Sequence, residues 1–458
     1  MQPKHGEIPT SEKSSDGAVS ALALMLIINL LNYIDRSMLA AVEEPLSREF
    51  SLTEGKAGLL ASAFLYAYML GAPILGRVAE RMSRWWIIGG SVLVWSLASG
   101  WTGFAYSWGV LLLTRVLVGF GEAGYGPAAP ALIADYFPIS RRGKMMALFY
   151  LAIPVGSALG YIIGGKVNAL WGWRTAFHLA VVPGVLLAAL CFFRKEPRPL
   201  RAVSTQQKTS ILADAKVLLR IPSYTLNTAA MTAMTFAIGG ISFWIPRFMT
   251  ERKAAQDGLA PQWAMELLHG LPSAATLQRK NEILSEMNTT FGIVVVIAGI
   301  LSTFTGGWLA DKLRPRWSGA YFTLSGVAIA LAFPCTLLMI SLPFPYTWVA
   351  VFCAVFFLFF NTGPANTALA NVTSSRMRAT AFALNIFFIH ALGDAISPPL
   401  VGYVKRVTNW ETAFTLMSLM MVLASALWII AAKYLGRDTE AAAAHERTES
   451  TATNPAGQ

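Results

Sequence analysis

Four ionisable side chains stand inside long apolar stretches of the sequence, and these residues are the best candidates for chemistry. Asp35 and Arg36 lie in one stretch, and Arg115 and Glu122 lie in another. An ionisable group at the centre of a membrane helix costs about 3 kcal/mol, so such residues usually line a wet cavity or pair with one another. On a helix, Asp35 and Arg36 point about 100° apart and can contact different neighbours. Arg115 and Glu122 are two turns apart and share a face.

Arginine and carboxylate groups at one depth suggest a site for an anion and a proton. Guanidinium groups form bidentate hydrogen bonds with phosphate or carboxylate, so we expect Arg36 and Arg115 to hold an anionic head group. Asp35 and Glu122 would then carry protons, because an anion arriving beside an arginine changes the charge balance around a buried carboxylate. The alternative, an ion-pair network that only holds helices together, stays open at this point.

A second polar pair lies near the end of the chain. His390 and Asp394 are four residues apart, so they share a helix face, and a histidine can relay protons near neutral pH. The alternative is a structural pair between helices. An intramembrane enzyme with a histidine and an aspartate is also conceivable, but it needs further nucleophile or base partners, and the sequence offers none. No catalytic residue is therefore predicted, and the chain is not expected to be an enzyme.

Metal, redox and nucleotide sites are not indicated. Cys191, Cys335 and Cys353 stand in apolar runs without paired spacing, so neither a disulfide framework nor a zinc site is predicted. There is no phosphate-binding loop of the Gly-x4-Gly-Lys-Ser/Thr type, which argues against a built-in ATPase. We expect no cofactor and no metal.

Glycines are spaced for close contacts between helices. Residues 119–124, Gly-Phe-Gly-Glu-Ala-Gly, match a dinucleotide-binding fingerprint, but they lie in the middle of an apolar stretch instead of at a strand-to-helix turn. Small residues at such spacing let two membrane helices approach closely. We expect this role for these glycines and for Gly156, Gly160 and Gly164.

The composition indicates that membrane helices position these residues. Of the 458 residues, 55% are hydrophobic and 13% are charged, against roughly 25% charged in an ordinary soluble domain. A membrane helix needs about 20 apolar residues. Twelve stretches qualify, with approximate limits 18–42, 57–76, 85–105, 107–137, 145–170, 175–193, 224–249, 289–310, 317–341, 346–371, 379–404 and 412–434. The predicted fold class is an all-α membrane protein with twelve transmembrane helices.

The net charge of +11 is explained by membrane orientation, so no nucleic-acid partner is expected. Most of the 36 Lys and Arg residues fall on one side of the predicted spans, and that side is cytoplasmic by the positive-inside rule. Both termini are therefore predicted to be cytoplasmic. The predicted divisions are a cytoplasmic tail 1–17, a six-helix bundle 18–193, a cytoplasmic linker 194–223, a six-helix bundle 224–435 with a long outer loop 250–288, and a disordered tail 436–458.

An internal repeat divides the twelve spans into two equal halves. Three pairs of segments match at a nearly constant offset: 76–81 with 307–312, 143–148 with 379–384, and 173–177 with 410–414. An even number of spans in each repeat gives both halves the same orientation in the membrane. Duplicated bundles of this kind place a substrate site at their interface.

These residues resemble the major facilitator superfamily over nearly the whole chain. Residues 76–85 resemble its signature loop between helices two and three, with Glu80 where aspartate is usual, and 115–122 are similar to its helix-four motif. Asn32 to Arg36, together with 376–399 and above all 390–398, resemble the spinster branch. The resemblance implies two six-helix bundles in the major facilitator fold and transport of sphingolipid phosphates or lysophospholipids.

Charged loop residues on the cytoplasmic side are candidates for gating. Glu80 and Asp311 can pair with a cytoplasmic arginine or face the positive N-terminus of a neighbouring helix, which would latch the cytoplasmic side shut. The alternative is that these charges only set the membrane orientation. The predicted gating residues are Gly76, Glu80, Arg81, Arg84, Asp311, Arg142 and Arg378.

The predicted function is secondary transport of an amphipathic organic anion by alternating access, with proton coupling as the favoured energy source. Aromatic residues of spans seven and ten could form an apolar wall opposite the charged one: Phe236, Phe243, Trp244, Phe352, Phe356, Phe357, Phe359 and Phe360. Asn361, Asn366 and Asn371 keep a sugar substrate open. A small organic-anion or drug transporter is the other transport hypothesis. We expect a monomer in the plasma (inner) membrane, with the bilayer, the substrate and protons as its partners.

Overall fold

The computed structural model describes residues 17–79, 82–137, 139–196, 211–259, 273–374 and 377–452, and every regular element in these ranges is helical. The N-terminal half contains α1 (Ala18–Ala41), α2 (Glu43–Glu49), α3 (Glu54–Ala79), α4 (Arg84–Thr102), α5 (Trp108–Tyr136), α6 (Ile139–Trp171) and α7 (Trp173–Phe192). The short helix α8 (Ile211–Leu218) lies between the halves.

The C-terminal half has longer and more interrupted helices. It contains α9 (Pro222–Gln256), α10 (Ala274–Leu313), α11 (Ala320–Ser341), α12 (Thr347–Phe359), α13 (Thr362–Asn371), α14 (Arg378–Phe388), a π-helical turn (Ile389–Asp394), α15 (Ser397–Val407) and α16 (Trp410–Ala452). Two predicted spans are thus built from more than one helix. The span 346–371 consists of α12 and α13, and the span 379–404 consists of α14, the π-helical turn and α15.

Ten helical stretches in the described ranges are long and apolar enough to cross a membrane. They correspond to ten of the twelve predicted spans. The other two predicted spans, 85–105 and 107–137, are also helical, as α4 and α5. These two helices are less apolar because α4 is rich in Gly, Ser and Trp and α5 carries Arg115 and Glu122.

Glycines let the helices of the N-terminal half approach one another closely, as the sequence predicts. A Cβ atom added at Gly160 of α6 would lie 2.5 Å from the Ile34 carbonyl oxygen of α1, and one at Gly164 would lie 2.8 Å from the Ala41 Cβ. A Cβ atom at Gly121 of α5 would lie 2.8 Å from the Trp95 backbone nitrogen of α4. Contacts this close require glycine, and they hold α1 and α5 in fixed positions.

The two halves meet mainly at one end of the molecule. We call it the α2 end, since it carries α2 and the turns after α4 and α11, and we call the opposite end the α8 end. α6 packs along α10, and α3 packs along α15 and the π-helical turn. Asn288 Nδ2 donates to the Ala41 carbonyl at 3.0 Å, and Tyr161 donates to the Ser242 carbonyl at 2.9 Å. The contacts along α6 and α10 extend towards the middle, where Gly299 faces Pro154.

Both ends of the predicted outer loop 250–288 are helical in the structure. α9 continues to Gln256 and α10 begins at Ala274. Within this part of α10, Ile283, Leu284 and Met287 are buried, so the segment has an apolar helix face despite its many charges. The rest of the predicted loop, residues 260–272, lies outside the described residues.

The predicted disorder of the tail is wrong for residues 436–452, which continue the helix α16. Alanine, glutamate and arginine are strong helix formers, so this polar segment needs no apolar face to extend an existing helix. Asp438 also anchors it, because its carboxylate accepts hydrogen bonds from the Ser223 backbone nitrogen at 3.0 Å and hydroxyl at 2.7 Å. In the predicted linker 194–223, residues Ile211–Leu218 form the short helix α8, and residues 197–210 lie outside the described ranges.

The close contact between α1 and α6 predicts that adding one methyl group at Gly160 destabilises the protein. Gly160→Ala should lower the thermal stability of the protein in detergent, because overpacking costs about 1–3 kcal/mol. Gly90→Ala in α4 is the matched control, since a Cβ atom at Gly90 has no neighbour within 4 Å. Scanning fluorimetry of both variants would measure this, and equal Tm values would contradict the close approach of α1 and α6.

Candidate functional site

A central cavity of about 340 Å³ lies between the two halves. It collects residues from α1, α3, α5 and α6 on one side and from α9 to α12 and the π-helical turn on the other. All four ionisable residues predicted from the two apolar stretches line it: Asp35, Arg36, Arg115 and Glu122. Close packing of α1 against α6, and of α5 against α4, brings these residues to one depth.

The two walls of the cavity differ in chemistry. The N-terminal half contributes the four charged residues together with Tyr33, Ser37, Ser157 and Tyr161. The C-terminal half contributes mainly apolar side chains, among them Phe243, Phe291, Val295, Val355, Leu358 and Phe359. The cavity is therefore amphipathic, with a polar wall facing an apolar one.

The aromatic residues predicted for the apolar wall are only partly in it. Phe243 and Phe359 line the cavity, and the other six do not. Phe291 also lines it but was not singled out in the sequence, because it stands near the start of its span without other aromatic residues. The asparagines do not line it either, and Asn361 and Asn366 donate to the Leu358 and Thr362 carbonyls of their own segment.

Arg36 is held between a carboxylate and three aromatic rings. Its Nε donates to Glu122 Oε2 at 2.7 Å, which joins α1 to α5. Its guanidinium carbon lies 5.1 Å, 4.9 Å and 5.2 Å from the ring centres of Tyr33, Phe64 and Tyr68. Cation–π contacts of this kind stabilise a guanidinium group that has lost its water. Within the described residues, Glu122 is the carboxylate that forms an ion pair with Arg36.

The other charges in the cavity are not saturated by one another. Asp35 is 1% exposed, and neither of its carboxylate oxygens has a hydrogen-bond partner among the residues that the structure describes. Arg115 donates to the Thr102 hydroxyl at 2.7 Å and faces the Phe177 ring. Glu122 Oε1 also has no partner in the described ranges. Unpartnered buried polar atoms are costly, so these groups need water, a proton or a ligand.

His390 and Asp394 form the pair that their spacing predicts, but on an irregular helix. His390 Nδ1 lies 3.0 Å from both carboxylate oxygens of Asp394. Both residues belong to the π-helical turn, in which Gly393 has non-helical dihedral angles. Thr235 of α9 donates to the Ile389 carbonyl at 3.2 Å. Asp394 lines the cavity from the C-terminal half, and Tyr68 stands edge-on to the His390 ring.

The charged residues among the predicted gating residues that the structure describes form bonds within their own halves. Arg84 is paired with Asp135 at 2.7 Å and with Glu196 at 2.6 Å, both in the N-terminal half. Asp311 accepts a hydrogen bond from Tyr321 at 2.8 Å, and Arg378 donates to carbonyls of α13 and the following turn. Gly76 has open space beside it. Glu80, Arg81 and the side chain of Arg142 lie outside the described residues.

Charge pairs that connect the two halves lie instead at the α2 end. Arg247 Nη1 lies 3.3 Å from Glu43, and Arg247 Nη2 lies 3.7 Å from Glu54. Lys405 binds Glu54 at 2.6 Å. Lys280 binds Glu44 at 2.5 Å. In every pair the acid belongs to the N-terminal half and the base to the C-terminal half.

Sequence reasoning missed these pairs although a signal was present. Glu43 and Glu44 follow the first predicted span directly, and Glu54 stands three residues before the second. Basic residues stand at the matching ends of α9, α10 and α15. Charges of opposite sign on the same side of the two halves are a pattern that predicts contact between them.

Metal binding is not supported by the described residues, among which no group of three or more His, Cys, Asp or Glu side chains is placed to hold an ion. What the arrangement offers is a buried, partly unpaired set of charges beside an apolar wall. That combination suits noncovalent binding of an amphipathic molecule between the two halves.

Comparisons with known proteins agree with this architecture. Residues 25–390 match the family model of the Major Facilitator Superfamily. The chain is 32% identical to Protein spinster homolog 3 of Danio rerio, over 94% of this chain and 88% of that protein. It is 30% identical to the protein of Xenopus tropicalis named Sphingosine-1-phosphate transporter SPNS2, over 86% of this chain and 75% of that one.

Solved structures of similar shape share the fold. A bacterial homolog of the human lysosomal transporter spinster, in an inward-facing and unoccupied conformation, aligns with a TM-score of 0.71 and 21% identity, over 95% of this chain and 98% of that one. The inward-open xylose transporter XylE from E. coli aligns with a TM-score of 0.66 and 14% identity, over 89% and 95%. The chain belongs to the major facilitator superfamily and is a membrane transporter of the spinster type, not an enzyme.

Proposed function

We propose that the protein moves an amphipathic organic anion of the lysophospholipid or sphingoid phosphate type across the membrane by proton-coupled alternating access. The observation that carries the proposal is the central cavity, which has charged residues on one wall and apolar residues on the other. A sugar would need many hydrogen-bonding groups around it, and the cavity offers few on its C-terminal side. The relative named as a sphingosine-1-phosphate transporter supports the same substrate class.

Arg36 is the group best placed to bind the anionic head. Its Nε donates a hydrogen bond to Glu122, and the guanidinium group contacts three aromatic rings. Its two Nη atoms therefore offer the parallel donors that a phosphate accepts. Arg115 adds a second positive charge from α5, and its Nε has no partner among the described residues. The head group would thus be held on the N-terminal wall.

Glu122 and Asp35 would couple binding of the anion to protons. An anion that pairs with Arg36 weakens the attraction of Arg36 for Glu122. A buried carboxylate that loses its counter-charge binds a proton instead, because an uncompensated buried charge is too costly. Anion and proton would therefore be bound together, and release of one would favour release of the other.

The alkyl chain would lie against the C-terminal wall. Phe243, Phe291, Val355 and Phe359 from α9, α10 and α12 present apolar surface there. Burial of apolar area yields about 25 cal/mol per Å², so a long chain would contribute much of the affinity. A small organic anion without a chain would use only the charged wall, and this difference separates the two transport hypotheses.

Twelve spans with both termini in the cytoplasm complete the proposal. In that orientation the α2 end is the outer end and the α8 end is cytoplasmic. The halves are joined at the α2 end by hydrogen bonds and charge pairs. We therefore assign this conformation to the cytoplasm-facing state, and the inward-facing states of the similar solved structures support the assignment.

Removal of the titratable group at the centre tests proton coupling. Glu122→Gln should abolish pH-driven transport in proteoliposomes and leave binding partly intact, because glutamine still accepts a hydrogen bond from Arg36 but cannot exchange a proton. Glu286→Gln is the matched control, since Glu286 is an exposed residue of α10 outside the cavity. Normal pH-driven flux in Glu122→Gln would remove Glu122 as the proton carrier.

Head-group recognition is tested with two ligands that share one tail. Arg36→Ala should weaken binding of a sphingoid phosphate about 10- to 100-fold, as loss of a charged hydrogen bond costs about 1.5–3 kcal/mol. Binding of the unphosphorylated sphingoid base should change much less. Isothermal titration in detergent would measure both affinities, and equal losses would contradict recognition of the phosphate by Arg36.

Filling the apolar wall tests the site for the tail. Ala354 of α12 lines the cavity, and Ala354→Phe should reduce its volume beside Val355 and Leu358. We expect counterflow of a long-chain lysophospholipid to fall at least tenfold while a short-chain analogue is still transported. The short-chain substrate serves as the folding control. Undiminished counterflow of the long-chain lipid would favour the small-anion hypothesis.

A further inference from the structure

The charge pairs at the α2 end belong to one larger cluster between the halves, which we call the α2-end cluster. It consists of Glu43, Glu44, Glu54, Arg247, Glu251, Lys280 and Lys405. α2 and α3 supply the first three residues, and α9, α10 and α15 supply the others. It is separate from the central cavity, since none of its members lines that cavity.

Glu43 is the most enclosed carboxylate of the cluster. It is 2% exposed. Its Oε1 accepts a hydrogen bond from the Ser47 hydroxyl at 2.6 Å and lies 3.3 Å from Arg247 Nη1. Its Oε2 has no hydrogen-bond partner among the described residues. One of the two oxygens is therefore buried without compensation.

The positive charges around Glu43 are engaged elsewhere. Arg247 also binds Glu251 at 2.9 Å and Glu54 at 3.7 Å. Lys405 forms an ion pair with Glu54, so Glu54 has Lys405 as a second cationic partner besides Arg247. Glu43 thus depends on one guanidinium group that it shares with two other carboxylates.

The other carboxylates near Glu43 do not compensate its buried charge. Glu44, next to it on α2, is neutralised by Lys280 at 2.5 Å and by Arg48 at 3.4 Å. Glu251 of α9 is bound by Arg247 and by Trp410 Nε1 at 2.7 Å. The charge of Glu44 and the charge of Glu251 both act against ionisation of Glu43, whereas Arg247 and the hydrogen bond from Ser47 favour it.

Closure of the α2 end therefore changes the protonation state that the carboxyl group of Glu43 prefers. Burial raises the pKa of Glu43 against the opposing effect of Arg247. When the halves separate at this end, Arg247 moves away with the C-terminal half and water reaches Glu43. An exposed glutamate has a pKa of about 4.3. The closed form consequently binds a proton more tightly than the open form.

We propose that Glu43 is a second proton-binding site, which takes up a proton when the α2 end closes and releases it to the outer solution when that end opens. This inference rests on the proposed alternating access. It assigns a pH-dependent role to the outer surface that is independent of the carboxylates in the cavity.

The sign of the pH effect follows from linkage. The closed form has the higher affinity for the proton, so acid favours closure and the advantage is lost as the pH rises through the pKa of the closed form. One proton changes the ratio of closed to open molecules by up to about tenfold per pH unit between the two pKa values. Acidification of the outer side thus favours the cytoplasm-facing state.

Electron–electron distance measurements can follow the α2 end directly. Spin labels at Tyr106→Cys and Tyr346→Cys report on the two halves, since both side chains are exposed, at 82% and 65%, in turns at this end. Cys191, Cys335 and Cys353 are replaced by serine. Asp35→Asn and Glu122→Gln are added to this background, so that titration of the central carboxylates does not contribute. Distances are measured between pH about 5 and about 8, above the ordinary carboxyl pKa.

Three further variants decide the question. In the background protein, the short-distance population should grow as the pH falls. Glu43→Gln, which resembles the protonated form, should keep the short distance at every pH. Glu49→Gln is the matched control on α2. Trp173 and Arg174 of the same half bind Glu49, and the hydrogen bond from Arg174 holds its pKa below the usual range. Glu49→Gln should retain the pH dependence of the background.

Arg247→Ala separates failure of the inference from failure of the proposed transport cycle. It removes the cation shared by the halves and should increase the long-distance population. If it does so while Glu43→Gln still shows the pH dependence of the background, or while the background shows none, Glu43 is not the proton site. If the distance is the same in all variants at every pH, the α2 end does not open, and alternating access is overturned together with this inference.

Discussion

The cost of placing a charge where water is scarce governs the arrangement of this protein. The buried ionisable groups differ in how far neighbouring residues compensate this cost. Arg36 has Glu122 and three aromatic rings, whereas Asp35 is enclosed without a hydrogen-bond partner in the described part of the chain. Groups with incomplete compensation are the ones that respond to a proton or an anion, because a small change in their surroundings alters their preferred charge. The same constraint that makes such residues rare in membrane helices makes them suitable for coupling.

The two halves repeat in sequence but have diverged in chemistry. The cavity-lining positions of α1 and α5 carry charges, and those of α10 and α12 carry aromatic and aliphatic side chains. Among the described residues, the charged side chain that the C-terminal half contributes to the cavity lining is Asp394, which stands on the π-helical turn and is bound by His390. A π-helical turn widens the helix locally and often marks a functional position. Duplication thus supplied two similar scaffolds, and divergence made one wall polar and the other apolar.

The sequence predicted the features that depend on one helix at a time. Apolar length located the long helices, and glycine spacing located the contact at Gly160. Spacing alone also predicted the pair of His390 and Asp394. Features that depend on how helices face one another were less accessible. Arg36 could not be matched with Glu122 until α1 and α5 were placed side by side, and Glu43 could not be matched with Arg247 until α2 met α9. The tail after residue 435 was mistaken for disorder because it has no apolar face, although its composition favours a helix that only had to continue α16.

The cavity and the α2-end cluster are joined by α9, which gives them a mechanical connection. Gly239 and Arg247 lie eight residues apart on this helix. At 1.5 Å per residue, they are about 12 Å apart along the helix axis. Gly239 packs directly against Asp394, where a Cβ atom would lie 2.5 Å from the Asp394 Cβ. A shift of α9 relative to α1 that widens or narrows the cavity must therefore also move Arg247 relative to Glu43. Packed helices transmit such a shift as a rigid unit, so in the proposed transport cycle occupancy of the cavity and closure of the α2 end would be coupled through α9.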